Sequence, residues 1–322
     1  MKKIFILLLA VCLTGAAQAQ FNTDTEPYMV NSLTGKNIQK VYARTSGGSI
    51  TVTGGSEARL EVYVRPSNSS NRLSKEEIKE ILDSDYEMTT STDNNQLSVT
   101  SKRKLNNIDR RKQLSISYKV FVPQNVSTDL STSGGSISLA GLTGTQQFTT
   151  SGGSLNLVRL NGKINGRTSG GSIKITDSKD EINLNTSGGS ITAENCVGNM
   201  DLSTSGGSLN LSGLKGTIRA KTSGGSVRAS DVNGELITHT SGGSINLTNM
   251  TASVDASTSG GGLNVSLKEL GKYVRLSSSG GSVSVDMPGN KGMDLELRGN
   301  RIKADGLKNF NGSKSDRSMS DA

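Results

Sequence analysis

The chain is poor in aromatic side chains and in histidine. It has no tryptophan, 3% aromatic residues and one histidine among 322 residues. Between residues 131 and 300 only Phe148 and Tyr273 could serve as aromatic platforms for a sugar ring. A catalytic set that depends on histidine would have to be built around His239 alone. These absences disfavour aromatic sugar-binding modules and histidine-dependent catalysis, and they favour a core of small and aliphatic side chains.

Long hydrophobic runs are also scarce, and the longest lies at the amino terminus, in MKKIFILLLAVCLTGAAQAQ. Two lysines precede an apolar run from Ile4 to Leu13, and Ala17-Gln18-Ala19 supplies a small-residue cleavage site, which is the layout of a secretory signal peptide. We expect cleavage after Ala19 and export to the periplasm, the outer surface or the medium. No later stretch approaches the ~20 apolar residues of a membrane-spanning helix, so no transmembrane segment is predicted in the mature chain.

Cysteine and net charge are both low in the expected mature chain. Only Cys196 would remain, because Cys12 lies in the leader, so no intramolecular disulfide can form and stability must come from backbone pairing and packing. A lipoprotein anchored through Cys12 is an alternative, which the bulky Val11 before it disfavours. Without Lys2 and Lys3 the 36 basic residues fall to 34, which against 28 acidic residues leaves a formal charge of +6. This mild excess does not indicate a specific nucleic-acid partner.

Glycine is abundant, with 39 residues, and it follows a fixed period. The stretch TSGGSI at 45–50 recurs with small changes from residue 132 onward, at intervals of 18 residues and a final interval of 20. Self-similarity at a fixed period is typical of a solenoid, in which each repeat packs on its neighbours. It argues against the disorder that a Gly- and Ser-rich composition can indicate. The first glycines of the pairs, which we interpret as structural corners, are Gly134, Gly152, Gly170, Gly188, Gly206, Gly224, Gly242, Gly260 and Gly280.

Apolar and polar residues alternate inside each repeat. Leu209 and Leu211 flank Asn210, and half a repeat later Ile218 and Ala220 flank an arginine. Alternation with period two predicts strands with one buried face, and no helical periodicity appears in this region. The sequence therefore predicts an all-β fold, a parallel β-solenoid of 18-residue coils that stack at about 4.8 Å.

A different kind of segment precedes the regular repeats. It holds alternating strands and one amphipathic helix at about residues 74–87, which opens with a capping box at Ser74 and Glu77. We interpret this small β-rich module as a cap over the strand edges of the first coil, which would otherwise pair with another chain. The predicted organisation is a leader (1–19), a linker (20–40), the capping module (41–130), the solenoid (131–304) and a polar C-terminal tail (305–322).

Two physical reasons favour glycine at the corners. A coil must reverse direction within two or three residues, and glycine reaches φ > 0 without a Cβ clash. Stacked corners also bring identical backbones together, where a side chain would collide. The flanking Thr and Ser are expected to pass hydrogen bonds from coil to coil. The motif is therefore interpreted as the corner of a coil and not as a binding loop.

Other chemical interpretations fit the residues less well. A phosphate-cradling loop needs a helix after its glycines, but a strand follows each pair here. A calcium β-roll needs a carboxylate in every Gly-rich turn, whereas Asp177, Asn195, Asp231 and Asn249 are expected at ordinary turn positions. A glycosidase needs two carboxylates across one cleft, and here the acids are scattered over outward columns. The sequence predicts no catalytic, cofactor-binding or metal site, with His239 on the surface.

Basic side chains are the remaining candidates for a function. Some lie in outward columns of the coils, and others form two clusters, KRK and RRK, that bracket LNNID between two predicted strands. We interpret them as a candidate surface for cell-surface glycans or anionic envelope polymers, with a merely solvated surface as the alternative. No aromatic residue interleaves the clusters, which disfavours stacking on nucleic acid. The candidate interaction surface comprises Lys174, Arg228, Arg167, Lys221, Arg219, Lys102, Arg103, Lys104, Arg110, Arg111 and Lys112.

The leader, the YKVFVP strand that runs into the first regular coil and the Ser-Gly-Gly-Ser repeats together resemble a secreted bacterial family of candidate adhesins with β-strand repeats, also described as a toast-rack-type domain of unknown function. The resemblance covers roughly residues 40–300, and it implies no catalytic residues. We expect an exported, non-enzymatic envelope protein whose polar solenoid surface makes weak multivalent contacts. The alternatives are a structural or regulatory envelope component that binds through its N-terminal module, and a polysaccharide-processing β-helix enzyme.

Overall fold

The computed structural model describes residues 26–68, 73–104, 113–289, 292–305, 311–314 and 318–321, so the predicted leader lies outside the described residues. Among these residues, one helix, α1 (Lys75–Asp85), accompanies 26 strands. The strands are β1 (Met29–Ser32), β2 (Lys40–Thr45), β3 (Ile50–Gly54), β4 (Arg59–Pro66), β5 (Tyr86–Asp93), β6 (Gln96–Arg103), β7 (Leu114–Val122), β8 (Ser127–Thr132), β9 (Ile137–Ala140), β10 (Thr143–Thr150), β11 (Leu155–Val158), β12 (Asn161–Thr168), β13 (Ile173–Thr176), β14 (Lys179–Thr186), β15 (Ile191–Glu194), β16 (Val197–Thr204), β17 (Leu209–Ser212), β18 (Lys215–Thr222), β19 (Val227–Ser230), β20 (Asn233–Thr240), β21 (Ile245–Thr258), β22 (Leu263–Ser278), β23 (Val283–Asp286), β24 (Glu296–Arg298), β25 (Gly312–Lys314) and β26 (Ser318–Asp321).

Each regular coil consists of one long and one short strand. The eight-residue strands from β10 to β20 pair in parallel with one another, and so do the four-residue strands from β9 to β19. Partners in register are 18 residues apart, as Ile164 and Ile182 show. The prediction of an all-β parallel β-solenoid is confirmed, with about nine coils about 18 residues apart.

The core is one apolar stripe enclosed by the coils. Leu209, Ile218 and Ala220 are fully buried, and Leu211 is 3% exposed, as the alternation predicts. Cys196 belongs to the same core, and burial raises the pKa of its thiol, so the sulfur stays protonated at neutral pH. The core is thin because each coil contributes only a few side chains, and stability therefore depends strongly on the backbone pairing between coils.

The N-terminal strands extend the same stack, but their order in space differs from their order in the chain. Strands β2 and β3 form a coil that pairs in parallel with β8 and β9 on one side and with β6 and β7 on the other. The chain therefore leaves the stack after β3, builds the outer coil β6–β7, and crosses back to β8. Strands β4 and β5 add to β7 and β6 in antiparallel orientation. The strands within residues 41–130 thus share one continuous sheet with the coils.

Helix α1 covers the apolar interior at this outer end. The Ser74 hydroxyl accepts a hydrogen bond from the Glu77 N–H at 3.2 Å, and the Glu77 carboxylate accepts one from the Ser74 N–H at 2.7 Å, which confirms the predicted capping box. Ile78, Ile81 and Leu82 are buried in the same cluster as the coils. No helix among the described residues is long and apolar enough to cross a membrane.

The regular stacking ends near the C-terminus. Strands β21 and β22 are 14 and 16 residues long, and their pairing shifts register three times between Leu247 and Val254. Strand β24 lies within the range predicted as solenoid, yet it pairs with β26 in a separate three-stranded antiparallel sheet. Strands β25 and β26 lie in the range that the sequence suggests is a polar tail.

The corner glycines are constrained by stacking and not by backbone conformation. None of the corner pairs has the positive φ expected from the sequence, so that part of the prediction is wrong. A Cβ added to Gly206 would lie 3.6 Å from the nearest atoms of the preceding coil, an ordinary contact. A Cβ added to Gly207 would lie 2.0 Å from the Gly189 carbonyl oxygen. The tight position is thus the second glycine of each pair, and the same contact of 2.0–2.3 Å recurs at Gly135, Gly153, Gly171, Gly189, Gly207, Gly225, Gly243, Gly261 and Gly281.

Positive φ occurs instead in the turn between the short strand and the next long strand. Asp177, Asn195, Asp231 and Asn249 have φ of 52–55°, which agrees with their prediction as turn residues. Three residues further on, a second column has φ of 110–132° and consists of Gly144, Gly162, Gly198, Gly216 and Gly234, with Asp180 as the exception at 86°.

Replacing Asp180 by glycine is expected to stabilise the protein by about 1 kcal/mol. A side chain at positive φ costs on the order of 1–2 kcal/mol, and the greater conformational entropy of glycine in the unfolded chain offsets part of the gain. Chemical denaturation of wild type and Asp180→Gly measures the difference. Asp201→Gly is the matched control on strand β16, where the loss of a side chain should destabilise. Equal losses in both variants would show that position 180 is unstrained.

Candidate interaction surface

A shallow groove of about 310 Å³ crosses four coils on the face formed by the short strands. Strands β15, β17, β19 and β21 contribute its walls and floor. It is lined by Thr192, Glu194, Asn210, Leu211, Ser212, Arg228, Ala229, Ser230, Asn246 and Thr248. The groove therefore runs along the axis of the stack, across neighbouring coils.

The groove arises from two outward columns of different side-chain length. The first column places Asn210, Arg228 and Asn246 side by side in parallel register. In the second column Ser212 and Ser230 are short, and they leave a gap above Leu211 and Ala229, which are 3% and 4% exposed. The arrangement offers amides, hydroxyls and one guanidinium over a nearly closed apolar floor.

Arg228 supplies the positive charge of the groove. The one acid in the lining, Glu194, is 3.3 Å from the Lys174 ammonium in an exposed ion pair. No ion pair is formed by Arg228 within the described ranges, and its side chain is exposed. Of the two basic residues predicted on this face, Lys174 is thus occupied by a carboxylate and Arg228 is available to a ligand.

The other predicted cations of the coils lie on the opposite, long-strand face. Arg167 is on β12, and Arg219 and Lys221 are on β18, three coils away; all three are exposed. The coil residues predicted as one interaction surface are therefore divided between two faces, because successive strands of a coil line different sides of the solenoid.

The basic residues at the end of β6 differ in their surroundings. The Lys104 ammonium donates to the Asp83 carbonyl oxygen at 2.6 Å, and its backbone N–H donates to the Asp85 carbonyl oxygen at 2.9 Å, so this lysine fixes the end of helix α1. Lys102 is exposed, whereas Arg103 is half-buried and lines a second pocket. The predicted cluster of Arg110, Arg111 and Lys112 lies outside the described residues.

His239 is exposed on the long-strand face, as predicted. Its Nδ1 lies 2.9 Å from the Ser257 hydroxyl oxygen on the next coil. On the preceding coil its partner in register is Lys221, a cation where a catalytic triad would place a carboxylate. The pair therefore extends a polar ladder, in which the Asn185 amide similarly donates to the Ser203 hydroxyl at 2.6 Å.

The turn acids are paired with amides. The Asn195 amide donates to Asp177 Oδ1 at 3.3 Å, and the Asn249 amide donates to Asp231 Oδ1 at 3.4 Å. Within the described part of the chain, no group of three or more His, Cys, Asp or Glu side chains could hold a metal ion. The geometry of these turns is that of stacked hydrogen-bonded residues.

Three contacts were not foreseen from the sequence. The Lys174–Glu194 ion pair joins residues that are 20 positions apart, which is one coil plus two positions. An alignment of the repeats places both residues on the same face of neighbouring coils, so this pair could have been found from the sequence. The Tyr273 hydroxyl donates to Glu235 Oε1 at 2.5 Å, and this hydrogen bond raises the pKa of the phenol. The Arg275 guanidinium lies 4.6 Å from the centre of the Tyr273 ring. One face of the most exposed aromatic ring in the coils is thus covered by a cation.

Comparisons with known proteins give two distant structural matches and one family match. No curated protein matches the chain. A crystal structure of a putative adhesin from Bacteroides fragilis is 15% identical, and the match covers 80% of this chain and 96% of that one with a TM-score of 0.34. A putative cell adhesion protein from Clostridium sporogenes is 10% identical over 80% of this chain and 97% of that one, with a TM-score of 0.21. At these TM-scores neither likeness supports an argument about fold or function.

The family assignment depends on a different comparison. The sequence model of the Toastrack family, a domain of unknown function, matches residues 20–316, which includes the N-terminal strands, every coil and most of the C-terminal segment. Since the match covers nearly the whole chain, the protein belongs to the Toastrack DUF4097 family.

Proposed function

We propose that the protein is an exported, non-enzymatic, adhesin-like component of the cell envelope, whose solenoid surface makes weak multivalent contacts with surface glycans or anionic envelope polymers. The observation that carries this proposal is the regular repetition of polar side chains at about 4.8 Å along both faces. A repetitive polymer that lies along the axis meets similar groups at each coil, and many weak contacts then add up through effective concentration.

The groove is the part of this surface best suited to an acidic polymer. Arg228 can bind a carboxylate through two parallel hydrogen bonds, and the amides of Asn210 and Asn246 stand beside it to meet neighbouring hydroxyl groups. A shallow groove without aromatic stacking gives low affinity per site, so avidity along the polymer is part of the proposal.

Binding without catalysis is supported by the acids of the groove. A glycosidase uses two carboxylates on opposite sides of the scissile bond. Glu194 is the one acid among the described residues that line the groove, and its carboxylate is already paired with Lys174. Export is supported by the signal-peptide pattern of residues 1–19.

The proposal is tested by retention of the mature chain, residues 20–322, on immobilised polygalacturonate, with neutral dextran as the reference. We expect retention on the acidic polymer, and roughly tenfold weaker binding in Arg228→Gln, since a hydrogen-bonded charge contributes about 1.5–3 kcal/mol. Arg301→Gln removes the same charge at an exposed residue outside the coils and should bind as wild type does.

Three outcomes would contradict this proposal. Equal losses in the two variants would mean that only net charge matters. Retention that survives Arg228→Gln but disappears in Lys102→Gln would favour contact through the N-terminal strands. Release of reducing ends from the polymer would contradict the non-enzymatic part of the proposal.

A further inference from the structure

The first three regular corners, at Gly134, Gly152 and Gly170, each hold one carbonyl oxygen of the preceding coil between two adjacent N–H groups. The Ser151 and Gly152 N–H groups donate to the Ser133 carbonyl oxygen at 3.2 and 2.9 Å. The same pair one coil later donates to the Ser151 carbonyl oxygen at 3.2 and 2.8 Å. In these corners both N–H groups face the preceding coil, whose corner supplies the acceptor, whereas from Gly188 to Gly260 only the glycine N–H donates to the serine carbonyl oxygen.

The first corner has this geometry but no acceptor. Ser133 and Gly134 donate to the Ser46 carbonyl oxygen at 3.2 and 3.1 Å, so residues 45–50 continue the corner column. The coil beyond it, β6–β7, has no Ser-Gly-Gly sequence between its two strands. Within the described residues, the N–H groups of Ser46 and Gly47 have no hydrogen-bond acceptor.

The gap spans the N–H groups of Ser46, Gly47 and Gly48, for which no acceptor is found among the described residues, and it is bounded on both sides. On one side of them the Thr45 hydroxyl donates to the Ile116 carbonyl oxygen at 2.7 Å. On the other side the Ser49 N–H donates to the Ser117 hydroxyl at 3.0 Å. The outer coil therefore supports the corner at both ends and leaves the middle open.

The open donors face a pocket of about 280 Å³. Ser46 and Gly47 line it together with Arg103 of β6, and the Gln113 and Ser133 side chains add further polar groups. No Asp or Glu is among the described residues that line the pocket. Arg103 is half-buried, so its charge is less screened than that of the exposed cations of the coils.

We propose that this pocket binds an oxyanion, such as a phosphate or carboxylate group. One anionic oxygen would take the place that a serine carbonyl oxygen holds in the eight corners from Gly134 to Gly260, and the Arg103 guanidinium would balance the charge. Successive N–H groups that converge on one point are a recurrent anion-binding device, and hydrogen bonds to charged acceptors are the stronger ones. The site does not use Arg228, and it stands whether or not the groove binds a polymer.

NMR of the ¹⁵N-labelled mature chain tests this proposal, with inorganic phosphate and acetate as probes and sodium chloride at matched ionic strength as the reference. We expect saturable downfield shifts of the Ser46 and Gly47 amide resonances with at least one probe, while the Gly152 amide, which already has its acceptor, does not move. The probe that saturates at the lower concentration identifies the class of anion.

Variants separate this site from general charge effects and from the groove. Arg103→Gln should weaken binding about tenfold, Arg103→Lys should recover part of the loss, and Arg228→Gln should leave the titration unchanged. Unmoved resonances elsewhere in the spectrum verify that each variant is folded. The proposal is overturned if sodium chloride produces the same shifts, or if Arg103→Gln and Arg103→Lys bind as wild type does.

Discussion

Replacing Gly207 by alanine is expected to disrupt the stack, whereas the same replacement at Gly206 is expected to leave it intact. At Gly207 the new Cβ would lie 2.0 Å from the Gly189 carbonyl oxygen, 2.4 Å from the Gly189 carbonyl carbon and 2.6 Å from the Ser190 nitrogen. All three are backbone atoms of the neighbouring coil, so no side-chain rotation can relieve the overlap. The two coils would have to separate at this corner.

The expected loss at Gly207 is 3 kcal/mol or more, on the order of the most severe overpacking. At Gly206 the nearest atoms would lie 3.6 Å from the Cβ and φ is not positive, so alanine should be neutral or stabilising by about 0.5 kcal/mol through the unfolded state.

Urea denaturation of both variants measures this difference, and loss of β-structure in Gly207→Ala by circular dichroism would be the extreme result. Gly189→Ala and Gly188→Ala form an independent pair one coil earlier, with 2.1 and 3.5 Å for the corresponding contacts. If the two glycines of a pair tolerate alanine equally well, the corners do not stack as closely as described.

The period of the repeat was sufficient to predict the coils, because every 18 residues the same apolar positions return to the same side. It also predicted the close approach of corners, but not which glycine is tight: Gly206 and Gly207 are equivalent in the sequence pattern. The positive φ was assigned to the wrong turn. The turn with positive φ is the one that contains Asp177 and Asn249. Asp and Asn are residue types that tolerate positive φ, so the sequence did indicate this turn.

The order of the N-terminal coils could not be predicted, since no local signal says that β6 and β7 lie outside β2 and β3. Pairing between strands so far apart in sequence depends on the matching of whole apolar faces. The unsatisfied corner at Ser46 and Gly47 results from this order of the coils. It could therefore not be predicted from the sequence either. The groove beside Arg228 depends on relative side-chain lengths in two columns, which become meaningful only once the register is known.

Replacing Thr204 by valine is expected to cost about 3 kcal/mol, although the two side chains have nearly the same shape. The Thr204 hydroxyl donates to the Gly189 carbonyl oxygen at 2.8 Å and accepts from the Gly207 N–H at 3.2 Å, and the side chain is 5% exposed. Valine would leave both backbone groups without a partner in a site that water barely reaches, at a cost of about 1–3 kcal/mol for each buried unsatisfied group.

Thr204→Ser separates this effect from packing. Serine loses one methyl group, worth about 0.8 kcal/mol, but it keeps the hydroxyl. The last corner already uses serine in this way: the Ser278 hydroxyl donates to the Gly261 carbonyl oxygen at 2.8 Å and accepts from the Gly281 N–H at 2.9 Å. The free energy of unfolding should therefore fall in the order wild type, Thr204→Ser, Thr204→Val. If valine proves more stable than serine, the threonine column acts by filling space, and the ladder of hydroxyl hydrogen bonds is not what joins one coil to the next.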